Sequence, residues 1–424
     1  MARFIVEGGT RLSGEITPSG NKNAALPLIA AALLTDEPVT LQNLPSIRDV
    51  EVMLDIAENV GAKVERSDHS ATISGGPQRS ALDPTLAGEI RASLLFAGPI
   101  LARCGKVSLP RPGGDIIGRR RVDTHFLALA ALGANLSAEP REYRLVAERL
   151  AGSDVVLDEA SVTATENALM SSVLAPGRTV IHNAASEPHV QELARCLLAM
   201  GARVEGIGTN TLVVEGVSAL HGTTHRVSSD HMEVGSFIGL AAITESDLTI
   251  KDAVPEHLRM TRLVFERLGV KTESRGADLR VPKQDRYLIQ PDLGGAVPEI
   301  KPLPWPGFPT DLTSVATVVA TQSEGIVLIH EWMFEGRLYF VDALKQMGAR
   351  IVLCDPHRAV VVGPAQLYAD ELRSPDIRAG MALVLAALAA KGTSIINNIE
   401  QIDRGYERLD ERLRGLGAKI ERVA

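Results

Sequence analysis

One short phrase occurs six times along the chain: Gly61-Ala62-Lys63-Val64, Gly133-Ala134-Asn135-Leu136, Gly201-Ala202-Arg203-Val204, Gly269-Val270-Lys271-Thr272, Gly348-Ala349-Arg350-Ile351 and Gly417-Ala418-Lys419-Ile420. Successive copies lie roughly 70 residues apart, and a near-fixed period of that size marks one supersecondary unit used repeatedly. Each copy follows an amphipathic run with apolar residues at helical spacing, as in residues 49–60 and 190–200. The Gly therefore predicts a left-handed helix C-cap, and the residues after it a strand. A short β-branched run recurs upstream in every unit, at residues 39–43, 107–110, 179–183, 248–252, 326–331 and 394–398. Each of these predicts a second strand.

The helices expected before those strands have almost no polar face. Residues 26–34, 92–102, 235–243, 314–321 and 379–390 are apolar or small nearly all round, which requires burial. None reaches the roughly 18 uninterrupted apolar residues of a membrane span. Each unit is thus read as one inner helix, one half-exposed helix and several short strands, an α/β arrangement. Because cores beyond about 250–300 residues tend to split, six units predict two domains of three. The expected division is 21–228 for the first domain, and 1–20 plus 229–424 for the second, so that the chain crosses twice.

Composition narrows the function classes. No basic region followed by an apolar stretch opens the chain, so a secretion signal is not expected and the reading is cytoplasmic. The three cysteines, Cys104, Cys196 and Cys354, lie far apart; they suit a reducing compartment and form no metal-ligand spacing. A formal net charge of −8 argues against a nucleic-acid surface, yet leaves room for an anionic small substrate in a local positive field.

Such a field is expected where the inner helices begin. Their openings are Ser19-Gly20-Asn21-Lys22-Asn23, Glu89-Ile90-Arg91, residues 161–167, Ser229-Asp230-His231-Met232-Glu233, Thr310-Asp311 and Asp376-Ile377-Arg378. Helix N-termini expose free N–H groups and partial positive charge, which suits phosphate and carboxylate. Ser, Asp and Asn at such places ordinarily serve as N-caps. Lys or Arg in a first turn instead opposes the helix dipole, and Lys22, Arg91 and Arg378 do so at equivalent places, which points to a bound anion. A second basic concentration is Arg111-Pro112-Gly113-Gly114-Asp115-Ile116-Ile117-Gly118-Arg119-Arg120-Arg121, either a solvated loop or a glycine-hinged lid over an anionic substrate.

Taken together these residues resemble the UDP-N-acetylglucosamine 1-carboxyvinyltransferase family along essentially the whole chain. The likeness is carried by Ser19-Gly20-Asn21-Lys22-Asn23-Ala24-Ala25-Leu26-Pro27, Arg91-Ala92-Ser93, the loop from Gly113-Gly114 to Asp123, residues 160–165, Phe308-Pro309-Thr310-Asp311 and Asp403-Arg404-Gly405-Tyr406-Glu407-Arg408. The resemblance implies the enolpyruvyl transferase fold, a two-domain inside-out α/β barrel of six repeated units. It implies an addition–elimination that moves the enolpyruvyl group of phosphoenolpyruvate to the 3′-hydroxyl of UDP-N-acetylglucosamine and releases phosphate, the first committed step of peptidoglycan synthesis. Neither metal nor organic cofactor is implied, nor an obligate protein, nucleic-acid or membrane partner.

By position the resemblance makes Lys22, Arg120 and Arg378 a phosphoenolpyruvate clamp, with Asn23 beside Lys22. Arg91, Arg120, Arg121, Val122, Asp123 and Thr124, with Ser161, Val162 and Thr163, correspond to the nucleotide-sugar site. Asp311 corresponds to the carboxylate near the 3′-hydroxyl, a candidate general base. Asp115 stands in the lid loop where most members carry the Cys that protonates C3. A protonated Asp115 then implies a desolvated, closed complex, and insensitivity to fosfomycin, which alkylates that thiolate. Thr163 replaces a common Gly, Arg121 a common Pro, and Gly336 an Asn before Arg337. Two alternatives stay open: a paralogous transferase with another nucleotide sugar as acceptor, and a catalytically weak regulator that binds UDP-sugar.

Overall fold

The computed structural model describes residues 2–114 and 117–423. All six repeated glycines end a helix, with φ between +90° and +109°, a region closed to most side chains. The preceding helices are Arg48–Asn59, Asp123–Ala131, Pro188–Ala199, Arg259–Arg267, Val341–Gln346 and Leu409–Gly415. At each end the Gly N–H bonds the carbonyl three residues back, and the next residue's N–H bonds the carbonyl five back. Gly61 thus donates to Glu58 and Ala62 to Ala57, and the same pair recurs as far as Gly417 to Arg414 and Ala418 to Leu413. This is the Schellman cap, whose last residue also packs on the helix it closes. The partners Ala57 with Ala62, Leu129 with Ala134 and Phe265 with Val270 are all buried. That packing explains why Ala or Val, rather than a polar residue, follows each Gly.

A strand follows every cap: Lys63–Ser67, Asn135–Ala138, Arg203–Glu205, Glu273–Arg275, Arg350–Asp355 and Lys419–Val423. The upstream β-branched runs form Val39–Gln42, Lys106–Pro110, Arg178–His182, Asp247–Ile250, Gly325–His330 and Thr393–Asn397. The described strands make six small sheets with one pattern: a parallel pair, then two antiparallel neighbours. Ser13–Ile16, for example, runs parallel to Asp247–Ile250, which pairs antiparallel with Asp278–Val281 and that in turn with Glu273–Arg275. One sheet has three strands, and a single parallel bridge between Ala81 and Ser108 stands where the others have a fourth strand.

The chain divides into two compact units, named here for their place in the sequence. The central unit is Gly20–Asp115 with Arg120–Ser228; the terminal unit is Met1–Ser19, Ile116–Arg119 and Ser229–Ala424. Each holds three sheets and three inner helices. In the terminal unit the inner helices are His231–Ile243, Thr313–Gln322 and Ile377–Ala389, packed on one another, and every residue of the first is buried. Gly235 and Gly239 let its neighbour approach: a Cβ there would lie 2.4 Å from Leu312 and 2.5 Å from Val315. In the central unit the inner helices are Lys22–Ala31, Ala97–Cys104 and Val162–Ser172.

Two expected helix starts differ from their prediction. Arg91 does not open an α-helix; it opens the 3-10 turn Arg91–Phe96, which leads into Ala97–Cys104. Glu89 closes the preceding helix Pro84–Glu89 and pairs with Arg48, while Ile90 offers no capping atom. Thr310 and Asp311 likewise lie in a 3-10 turn, Thr310–Leu312, ahead of the helix proper. In both places a polar side chain has a stronger partner elsewhere than the helix N–H groups. No helix among the described residues is long and apolar enough to cross a membrane.

Candidate functional site

In the terminal unit, Asp376 caps its helix by accepting from the N–H groups of Arg378 and Ala379 at 2.8 and 2.9 Å. The Arg378 side chain is thereby directed to Asp311, whose Oδ2 accepts from Nε at 3.0 Å. Arg337 donates from Nη2 to the other oxygen, Oδ1, also at 3.0 Å. Both arginine side chains are almost wholly buried, at 7% and 4% exposure, while Asp311 retains 25%. Burial opposes the charge of Arg378, yet Asp311 and Tyr406 hold it above its ordinary range. Two buried donors, Arg378 Nη1 and Arg337 Nε, have no hydrogen-bond partner among the described residues. Buried cationic donors without acceptors are costly, so this cluster is electrostatically suited to an anion. Glu331 beside it accepts from Thr310 and Thr313, and burial pushes its carboxyl up. His231, buried close by, is pushed down to about 4 by burial.

In the central unit, Asn21 caps the helix Lys22–Ala31 by accepting from Asn23 N and Ala24 N, which leaves Asn23 half-buried in the first turn. Lys22 Nζ lies 2.8 Å from Asp49 Oδ2, both side chains buried. Arg91 donates from Nη2 to the carbonyls of Arg120 and Arg121, at 3.0 and 2.7 Å. Burial, then the charge of Arg120, pulls its guanidinium down to about 10. Arg121 pairs with Asp158 at 2.7 Å, and Thr124 donates to the other oxygen of the same carboxylate. Asp123 begins the helix Asp123–Ala131, with Val122 just ahead of it. Ser161 caps Val162–Ser172, with its oxygen 3.4 Å from Ala164 N. Thr163 Oγ1 lies 3.0 Å from His125 Nε2.

The glycine-rich loop is held at its near end. Arg111 donates to Tyr143 Oη at 2.6 Å and to Pro140 O at 3.0 Å, so its charge is docked rather than free. A Cβ on Gly113 would sit 1.7 Å from the Gly88 carbonyl, and Gly114, at φ +103°, runs against Arg91. Asp115 lies outside the described residues. Past it, Ile117 O accepts from Gly336 N, and Arg119 N donates to Glu335, within the terminal unit. A cavity of about 720 Å³ in the central unit lies at the C-terminal ends of inner helices, lined by Leu101, Cys104, Arg149, Leu174 and Gly216; no candidate residue borders it.

The profile of the EPSP synthase (3-phosphoshikimate 1-carboxyvinyltransferase) family matches residues 6–413. A UDP-N-acetylglucosamine 1-carboxyvinyltransferase from Bradyrhizobium diazoefficiens is 58% identical, over 99% of this chain and 98% of its own length. The protein of that name from Treponema denticola is 55% identical, over 99% of each. The chain belongs to the UDP-N-acetylglucosamine 1-carboxyvinyltransferase family. Solved structures share the fold: the enolpyruvyl transferase NikO from Streptomyces tendae superposes with a TM-score of 0.89 at 24% identity, covering 100% of this chain and 99% of its own. An EPSP synthase from Acinetobacter baumannii gives 0.77 at 19%, covering both chains fully. The enolpyruvyl transferase fold implied by the family resemblance is thus the fold observed.

For a UDP-N-acetylglucosamine 1-carboxyvinyltransferase, the central unit gathers Arg91 with Arg120 and Arg121, and the terminal unit gathers Asp311 with Arg378. Lys22 and Arg378 stand in the first turns of their helices and Arg91 opens a 3-10 turn, but each also has an internal partner: a carboxylate for Lys22 and Arg378, two carbonyls for Arg91. Sequence reasoning passed over Asp49, Asp158, His125 and Arg337. His125 hides among the apolar residues of its helix, and Asp158 follows a strand as an unremarkable turn residue. The break in the helix-charge rule at Lys22 and Arg378, read from the sequence as pointing to a bound anion, is met within the fold by the carboxylates of Asp49 and Asp311.

Proposed function

We propose that this chain transfers the enolpyruvyl group of phosphoenolpyruvate to the 3′-hydroxyl of UDP-N-acetylglucosamine. The observation that carries the reading is the full-length identity of 58% to an enzyme of that name, supported by the Arg337, Asp311 and Arg378 cluster. In this reading Asp311 accepts the proton of the 3′-hydroxyl as its oxygen bonds to C2 of phosphoenolpyruvate. C3 gains a proton from the lid loop, with Asp115 as the acid. The C2–O bond to phosphate then breaks, C3 gives up a proton, and the enol ether remains. Lys22, Asn23, Arg120 and Arg378 would hold the phosphate and carboxylate of phosphoenolpyruvate. Arg91, the 120–124 segment, Ser161, Val162 and Thr163 would hold the nucleotide sugar. Fixed cationic donors of this kind stabilise charge that develops during reaction.

The same reading places the reaction in the cytoplasm, at the entry to peptidoglycan synthesis, and so upstream of cell shape and division. The deciding experiment is inorganic phosphate release from phosphoenolpyruvate by the purified chain, with and without UDP-N-acetylglucosamine. Release that depends on the sugar nucleotide is expected. Binding of both ligands without release would make the chain a UDP-sugar-binding regulator, and failure to bind this sugar would point to a different acceptor.

A further inference from the structure

Asn167, on the inner helix Val162–Ser172, is fully buried and its amide orientation is fixed by two backbone groups. Gly98 N–H, which can only donate, meets Oδ1 at 2.9 Å; Leu94 C=O, which can only accept, meets Nδ2 at 2.8 Å. The second hydrogen on Nδ2 faces His125 Nδ1 at 2.8 Å. Nδ1 must then be the accepting nitrogen, and the ring proton resides on Nε2. That N–H points at Thr163 Oγ1, 3.0 Å away, and occupies one lone pair of the hydroxyl. Thr163 cannot donate back to a nitrogen that itself donates. No other hydrogen bond of its hydroxyl occurs among the described residues, so the hydroxyl hydrogen is left to point elsewhere. His125 is uncharged at neutral pH, since burial, then the charge of Arg91, pushes it down to about 3.

We propose that Thr163 donates a hydrogen bond to an acceptor oxygen of the bound nucleotide sugar, and that Asn167 and His125 are positioning residues that keep its proton free for that bond. The inference rests on the function proposed above and adds to it the direction of one hydrogen bond. The acceptor suited to the spot is a phosphate oxygen: it has only lone pairs to offer, and the first N–H groups of the helix and the nearby Arg91 favour negative charge there. A hydroxyl with unlocked partners would donate or accept indifferently. The relay keeps the hydroxyl hydrogen from being used on His125, so it stays available to an acceptor on the ligand.

The test uses the full chain. Thr163→Val should raise KM for UDP-N-acetylglucosamine about ten- to a hundredfold, the cost of losing one hydrogen bond to a charged oxygen. KM for phosphoenolpyruvate and kcat should stay within about twofold of the parent. Thr163→Ser should restore most of the loss. Asn167→Asp places an acceptor opposite Nδ1, reverses the tautomer and should reproduce the Val defect, with little further loss when the two are combined. Should that variant fail to fold, nitrogen-15 spectra of the parent decide the relay: Nε2 protonated and Nδ1 bare on His125 is the expected result. Unchanged sugar binding in Thr163→Val, no rescue by Ser, or a protonated Nδ1 would each overturn the proposal while leaving turnover of the parent, and so the function, intact. A parent that neither binds nor turns over UDP-N-acetylglucosamine would instead remove the function on which it stands.

Discussion

The two units are built alike and spend their buried charge differently. In each, three inner helices are enclosed by three sheets, and a basic residue stands in the first turn of an inner helix. In the terminal unit two arginines converge on one partly exposed carboxylate and still retain unused donors. In the central unit Lys22 meets a carboxylate as buried as itself, and Arg91 spends its hydrogen bonds on the backbone of the 120–121 segment. The scaffold can therefore repeat while its helix starts specialise. One unit keeps buried donors open beside its carboxylate, and the other pairs its basic residues within the fold.

Removing the carboxylates should separate the two cases most widely. Asp311→Asn should lower sugar-dependent phosphate release about a thousandfold, as loss of a general base does, and should also cost stability because it takes the shared carboxylate from buried Arg337 and Arg378. Asp49→Asn should remove the carboxylate that pairs with buried Lys22 and lower stability by about 3 kcal/mol, read by urea unfolding, with a much smaller loss of activity. Comparable activity losses in the two variants would erase the distinction. The caps give a smaller contrast. Ala at Gly269 would put a Cβ 2.3 Å from Leu288 N as well as forcing the left-handed φ, and should cost about 3 kcal/mol. Ala at Gly133 meets nothing nearer than 3.4 Å and should cost about 1 kcal/mol, the backbone strain alone.

Each unit also buries a glutamate near the start of an inner helix. Glu233 is paired with Arg412, whereas Glu166 has an oxygen without a hydrogen-bond partner among the described residues, and burial, then Glu187, raises its carboxyl well above 4.5. A carboxyl that binds its proton more tightly when folded favours the fold at low pH and opposes it increasingly as pH rises past 4.5. Glu166→Gln should therefore match the parent in acid and gain stability over it as pH rises, measured as the unfolding midpoint against pH. A constant difference across pH would refute this. The smallest expected effect is none: fosfomycin should add no mass to the 111–121 loop, because Asp115 offers no thiolate.

Most of the scaffold was legible because its signals are local. A Schellman cap needs Gly at one position and a small apolar residue at the next, so six caps announced themselves as six copies of a phrase. The buried helices were legible for a similar reason, since a helix with no polar face has one place to be. The partners of the site were not. Asp49 lies 27 positions from Lys22, and Arg378 lies 67 from Asp311, distances that only the tertiary fold closes. Arg91 and Asp311 were placed at helix starts, but both lie in 3-10 turns ahead of the helix proper, where no side chain caps the N–H groups. The hydrogen-bond direction at Thr163 depends on Gly98 and Leu94, which no motif connects to it.

The topology of the terminal unit governs the order in which this protein can be made. Strand Arg3–Glu7 lies between Thr393–Asn397 and Lys419–Val423, paired to both. Ser13–Ile16 likewise waits for Asp247–Ile250. Strand Arg3–Glu7 thus remains without neighbours until nearly everything else has been translated, and Ser13–Ile16 until past the middle of the chain. The central unit needs nothing beyond Ser228, since Thr223–Arg226 completes the sheet begun by Val39–Gln42. Biosynthesis should run from the middle outward, with a finished inner module held on a nascent chain whose opening segment is still searching for its place.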